Sequence, residues 1–132
     1  MRHVLDASAV LAYLFGEPGD DVVADALAEG AHVSSVNLAE VLSIVASRGA
    51  DPAGVVSDLR GAGVLGEALT VEPFTPADAI DTAHLRPLTR GGGLSLADRA
   101  CLALARRLGL PALTSDHAWA NADVGVELAF FR

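Results

Sequence analysis

The chain has 132 residues, 52% of them hydrophobic, with a formal net charge of −8 and one cysteine. That length makes one domain, residues 1–132, with a core that needs no structural metal or disulfide. Cys101 alone excludes an intrachain disulfide and fits a reducing cytoplasm, and no window approaches the roughly 18 uninterrupted apolar residues of a membrane span. A mean hydropathy of +0.41 therefore points to a large core plus a partner or dimer interface.

Met1-Arg2-His3 before an apolar stretch faintly mimics a secretion signal, but Asp6 and Ser8 interrupt it and no A-x-A cleavage site follows. Residues 3–5 instead read as a short uncharged strand. The chain turns polar at Asp6-Ala7-Ser8, and an apolar helix follows over residues 9–15. Asp6 thus sits past a strand's carboxyl end, where open α/β sheets hold ligands and ions. It is equally suited to cap the helix. Gly16-Glu17-Pro18-Gly19 is a turn, and residues 20–29 form an amphipathic helix stopped by Gly30.

Residues 31–34 are a buried strand. Ser35 or Asn37 opens the next helix, which stops at Gly49. Pro52 introduces a helix over 53–59, loosened by Gly61, Gly63 and Gly66. Residues 69–71 are a third strand, and Thr75-Pro76 starts a helix running to about residue 86. Residues 89–93, with three successive glycines, are the most flexible piece. Ser95 opens a helix closed by Gly109 and containing Cys101 as inert core. Residues 111–114 are a fourth strand, a short turn anchored by Trp119 follows, and residues 126–131 are a last strand. Strands alternating with helices call for a parallel sheet of four to five strands covered on both faces, an α/β/α sandwich.

Four acids recur just after strands or early in the following helices: Asp6, Glu40, Asp98 and Asp116. Each has a structural explanation. Asn37-x-x-Glu40 and Ser95-x-x-Asp98 resemble capping boxes, and Asp116 can be an ordinary N-cap. Together, however, they place like charges at one edge of a parallel sheet, where they raise one another's pKa unless a cation is shared. Oxygen ligands without paired His or Cys favour Mg²⁺ or Mn²⁺ over zinc. Such a site performs phosphoryl chemistry without a nucleophilic side chain. Ser8, Asn37, Ser95 and Ser115 are short polar neighbours able to orient carboxylates, or simply to cap helices. His3, His32, His84 and His117 show no metal spacing, and His117 reads as a surface residue.

The net charge argues at first against a nucleic-acid ligand. Acids gathered around a metal would be neutralised on loading. All nine basic residues are arginine, with no lysine, and arginine is the better phosphate fork.

VLDASAVLAYL, NLAEVL, LSLADRACLALARRLGLPALTSD and HAW together resemble a PIN-domain ribonuclease, and more narrowly the VapC toxins of type II toxin–antitoxin systems. The resemblance implies a metal-dependent endoribonuclease that hydrolyses RNA phosphodiester bonds, with a cognate antitoxin protein and a homodimer or toxin–antitoxin hetero-oligomer in the cytoplasm. Asp6, Glu40, Asp98 and Asp116 match the family's metal-binding acids, and Ser8, Asn37 and Ser115 its polar supports. Because the family's fourth acid varies in position, the resemblance leaves Asp123 open as a substitute or auxiliary for Asp116. Arg99 departs from the small residue common beside that third acid, which bears on substrate contacts.

A catalytically silent PIN-like scaffold that binds RNA or protein is the alternative. An aspartyl-nucleophile phosphatase would want a second Asp where Ser8 stands, and a lysine. The missing lysine also argues against a receiver domain and a P-loop hydrolase.

Overall fold

The apolar segments and their caps give the order β1 (His3–Leu5), α1 (Ala7–Phe15), α2 (Asp20–Glu29), β2 (Ala31–Ser34), α3 (Ser35–Ser47), α4 (Pro52–Gly61), β3 (Leu69–Glu72), α5 (Pro76–His84), α6 (Arg86–Thr89), α7 (Leu96–Leu108), β4 (Ala112–Thr114) and β5 (Leu128–Phe130). Short 3-10 turns occupy Arg90–Gly92 and His117–Asn121. This computed structural model describes residues 1–132, with Gly92 given only its place in the first of those turns.

The strands form one sheet in the order β3-β2-β1-β4-β5, and each pairing is parallel. A parallel return needs a crossover. Helices α1 and α2, then α3 and α4, then α5 to α7 supply the first three crossovers. Side chains on a strand alternate between faces, so Leu5 and Leu113 join one apolar cluster while their neighbours Val4 and Ala112 join another. The first cluster is closed by α1, α2 and Val41 of α3. The second is closed by α7, with Leu85, Leu94 and a fully buried Trp119. Trp119 therefore anchors the loop after β4 in the core.

From β1 the chain passes to β2 on one side and later returns to β4 on the other. The strand order thus reverses between β1 and β4, and the crevice beyond their carboxyl ends is where such sheets bind ligands. Asp6 follows β1 there, and Ser115 and Asp116 follow β4.

Several boundaries differ from expectation for local reasons. Helix α1 begins at Ala7, because the Asp6 carboxylate accepts from the Ala9 N–H and caps it there. Helix α3 begins at Ser35, capped by the Ser34 hydroxyl accepting from the Val36 N–H, so Asn37 and Glu40 lie inside the helix and form no capping box. Helix α4 spans Pro52–Gly61, held at its start by Asp51 accepting from the Gly54 N–H. The helix from Pro76 stops at His84, and Pro87, which has no N–H to donate, lies in the first turn of the separate α6. The last strand is only Leu128–Phe130. Residues 89–93, expected to be the most flexible piece, fall at the end of α6, in the 3-10 turn Arg90–Gly92 and at its cap Gly93.

Candidate active site

Asp6 is 5% exposed, and both of its carboxylate oxygens are held by hydroxyls. Ser8 Oγ donates to Oδ1 at 2.6 Å, and Thr114 Oγ1 donates to Oδ2 at 2.6 Å. The Ala9 N–H adds a third bond to Oδ1 at 2.9 Å. Each hydroxyl is fixed in turn by the chain after β4. The Ser115 N–H donates to Ser8 Oγ at 3.2 Å, and the Asp116 N–H donates to Thr114 Oγ1 at 3.0 Å. The ends of β1 and β4 thus orient one carboxylate through two parallel relays. Burial raises the Asp6 pKa; the bonds from Ser8, Thr114 and Ala9 work against that, and the Asp98 charge adds to it.

Glu40 and Asp98 share this field. The Glu40 pKa is also raised, first by burial and then by the charges of Asp98 and Asp6. Helices α3 and α7 are tied together by Asn37 Nδ2 donating to the Ala97 carbonyl at 3.0 Å, immediately before Asp98. Asn37 is 1% exposed, and its Oδ1 is buried without a hydrogen-bond partner. Asp98 closes a true capping box with Ser95: its Oδ2 accepts from the Ser95 N–H at 2.9 Å while Ser95 Oγ accepts from the Asp98 N–H at 3.1 Å. Its Oδ1 takes no part in the box. Beneath the acids the Cys101 thiol is fully buried, and its pKa is pushed up by burial and by Asp6, Asp98 and Glu40. It stays protonated and inert.

The remaining expected residues lie between β4 and β5 or on α7. Asp116 is exposed and caps the 3-10 turn, its Oδ1 accepting from the Ala118 N–H at 3.0 Å. Asp123 is exposed further along the same loop. Ser115 enters the network through its backbone N–H. His117 is exposed and stacks on Phe130, with ring centroids 4.2 Å apart. Arg99 is 8% exposed and donates to the Thr82 carbonyl at 3.1 Å; it is turned into the contact between α5 and α7.

Thr114 is the site residue that sequence reasoning missed. A β-branched residue at a strand's end reads as a strand former, and its place before Ser115-Asp116 was the one available signal.

The donor set fits a hard divalent cation by its chemistry. Its donors are oxygens, the Asp98 charge opposes ionisation of both Asp6 and Glu40, and Asn37 Oδ1 is a buried acceptor lacking a donor. Among the described residues, no Arg or His forms an ion pair with Asp6, Glu40 or Asp98. No group of three His, Cys, Asp or Glu side chains among the described residues is placed to hold one ion as they stand. The fit therefore lies in donor type and mutual field.

No curated protein matches the sequence. Solved structures do. The chain is similar to VapBC2 from Rickettsia felis, bound to a DNA fragment from their promoter, at 18% identity and a TM-score of 0.74 over 98% of each chain. It is similar to FitAcB from Neisseria gonorrhoeae at 23% identity and a TM-score of 0.70, covering 95% of this chain and 94% of that one. VapC20 from Mycobacterium tuberculosis, a Sarcin-Ricin loop cleaving toxin, matches at 18% identity and a TM-score of 0.65, covering 83% and 85%. At these identities what is shared is the fold. A family model described as PIN domain matches residues 3–125, a span that holds Asp6, Glu40, Asp98 and Asp116, and the chain belongs to the PIN domain family.

Proposed function

We propose that this chain is a divalent-metal-dependent endoribonuclease, the toxin of a type II toxin–antitoxin pair. The observation that carries the reading is the buried Asp6 carboxylate, gripped at both oxygens by Ser8 and Thr114 and set in the field of Asp98 and Glu40 without a basic partner. A purely structural acid would gain from a cation or from exposure, and Asp6 has neither. Asp6, Glu40 and Asp98, with Asp116 or Asp123 completing the set, would hold Mg²⁺ or Mn²⁺, which when bound would supply Lewis-acid polarisation of a phosphodiester and activation of water. The chain's own part is to orient those carboxylates: Ser8 and Thr114 fix Asp6, Ser95 fixes Asp98, and Asn37 docks α3 on α7 so that Glu40 faces them.

VapBC and FitAB assemblies among the similar structures support a cognate antitoxin as partner, and a homodimer or toxin–antitoxin hetero-oligomer as the working assembly. Among the described residues no helix is long and apolar enough to cross a membrane, and the cytoplasm is the compartment proposed. An antitoxin segment carrying Arg or Lys would compete with metal for the three acids, so its inhibition is partly electrostatic. The silent-scaffold reading draws on one observation, that no three side chains are placed to share an ion as they stand.

Purified protein, RNA and Mn²⁺ decide between the two readings. Cleavage dependent on metal and lost in Asp98→Asn supports the nuclease, and the RNA ends identify its site. Mn²⁺ should also stabilise the wild type, by about 2.7 kcal/mol at a hundred times its Kd. A chain that neither cleaves RNA nor gains stability from Mn²⁺ is a scaffold.

A further inference from the structure

His117 follows Asp116 in the loop after β4, and its ring reaches across to the outer strand, β5. The imidazole lies flat on Phe130, with ring centroids 4.2 Å apart and planes 10° from parallel. Its Nε2 is 2.8 Å from the Arg132 backbone oxygen. That oxygen can only accept, so Nε2 carries a proton and donates. Two contacts from separate residues thus fix the plane of a side chain that is itself exposed. One face of the ring is spent on Phe130, which leaves the other to solvent.

The place of this ring follows from the sheet. The strands β1, β4 and β5 are parallel neighbours in that order, so their carboxyl ends share one edge. Asp6 follows β1 there, and Thr114, whose hydroxyl holds Asp6, pairs with Phe130 across β4 and β5. Neighbouring strands are about 4.8 Å apart, which sets β5 about 10 Å from β1. A ring at β5 is too far to touch a phosphodiester held by Asp6, and near enough to meet a base close by on the same strand. A pin for Arg132 would need only the Nε2–H, not an exposed ring. The chain's net charge of −8 also leaves little general attraction for phosphate. Stacking needs no charge, and it tolerates any sequence because every base has a π face.

We propose that His117, backed by Phe130, is a stacking platform for one nucleobase of a single-stranded RNA lying across the acid edge. The proposal rests on the nuclease reading for the class of ligand, and adds to it a residue that positions the strand through a base. Trp119, two residues further on, is fully buried and has no face to offer.

The test uses the intact chain, Ca²⁺ in place of Mg²⁺, and short single-stranded oligouridylates in which a fluorescent adenine analogue takes each position in turn. Binding should quench the analogue at one position, its response to a stacked aromatic neighbour. His117→Gln removes the ring and keeps an N–H for Arg132, whereas His117→Phe keeps a ring and loses that N–H. His117→Gln should abolish the quenching and weaken binding about tenfold, within the range for stacking one base on an aromatic side chain. His117→Phe should retain both near the wild-type level. An oligomer abasic at the quenched position should bind the wild type more weakly by the same factor, and His117→Gln should add nothing to that loss. The platform is overturned if no position is quenched, or if His117→Phe loses as much affinity as His117→Gln, which would make the residue a pin for Arg132. It is also overturned if the abasic and His117→Gln losses simply multiply. In each of these cases RNA cleavage with Mn²⁺ leaves the nuclease reading standing. A wild type that neither binds the oligomers nor cuts RNA overturns both.

Discussion

The two capping boxes of the molecule, Thr75 with Asp78 at the start of α5 and Ser95 with Asp98 at the start of α7, have the same local geometry. In each, the hydroxyl accepts from the backbone N–H three residues on, and the acid's Oδ2 accepts from the cap N–H at 2.9 Å. They differ in what lies near the rest of the carboxylate. Asp78 Oδ1 accepts from Arg107 Nε at 3.0 Å. Burial works to raise its pKa, but the bonds from Thr75 and the charge and bond of Arg107 hold it below the ordinary value. Asp98 has no such cation, and its charge raises the pKa of both Asp6 and Glu40. The motif says where a helix begins. The charges around the rest of the carboxylate say whether the acid is structural or belongs to a site.

The sharpest way to break this contrast is to neutralise both acids in turn. Asp98→Asn should lower RNA cleavage by at least about a hundredfold, the scale of losing several kcal/mol of charge stabilisation in the transition state, while the fold survives. Asp78→Asn should leave cleavage within a few-fold and lower stability by about 1–2 kcal/mol, through loss of a charge-assisted bond. Rates on RNA and chemical denaturation of each variant check both outcomes. Comparable losses of cleavage would erase the distinction.

Thr114→Val tests the support of Asp6 with almost no change of shape. Removing the 2.6 Å bond to Oδ2 should cost roughly tenfold to a hundredfold in metal affinity or cleavage, as for other partners that orient a ligand. Mn²⁺ titration and rates on RNA measure it. An unchanged variant would mean that Ser8 and the Ala9 N–H orient Asp6 unaided.

Much of this was readable in advance, and the failures have physical reasons. Helix α2 has the expected bounds because its apolar face is periodic and Gly30 ends it. The start of α3 was ambiguous because Ser34, Ser35 and Asn37 are all competent caps, and only the tertiary fold selects Ser34. That choice removes the capping explanation for Glu40, which sequence alone had to carry. Glu40 and Asp98 were expected at one sheet edge, but what holds them near one another there was not readable. It depends on a contact between α3 and α7, sixty residues apart in the chain, fixed by Asn37 donating to the Ala97 carbonyl. Arg99 shows the same limit. Its neighbour in sequence is a site residue, but on a helix adjacent residues lie on different faces, and Arg99 turns toward Thr82.

Titration extends the comparison to stability. Folded Asp6 and Glu40 keep their protons above 3.8 and 4.5, the values expected of them when free. The native state then binds more protons than the unfolded one, so their contribution falls as pH rises from those values through the raised folded ones. Asp78 runs the other way: its folded pKa is lowered, so its stabilisation is present above the ordinary value and lost as pH falls through the folded one. In metal-free protein, Asp6→Asn should therefore flatten the decline in melting temperature as pH rises above 3.8, and Asp78→Asn should leave it in place. A steeper decline in Asp6→Asn would mean the sign is wrong.

The smallest expected effect comes from the hydroxyls of the two boxes. Ser95→Ala and Thr75→Ala each remove a side-chain acceptor from one helix N–H, and each should cost about 1 kcal/mol of stability. Both residues are exposed, so neither change leaves a cavity, and the two costs should agree. Their effects on cleavage should not. The Ser95 hydroxyl shapes the turn that places Asp98, so Ser95→Ala lets that carboxylate leave its position beside Asp6 and Glu40. Thr75 does the same for an acid already held by Arg107 and away from the site. Cleavage measured where both variants are fully folded should fall a few-fold in Ser95→Ala and stay at the wild-type rate in Thr75→Ala. Equal losses would show that the alanines act through stability alone, and the Ser95 box would then be a helix cap with no share in orienting the acid.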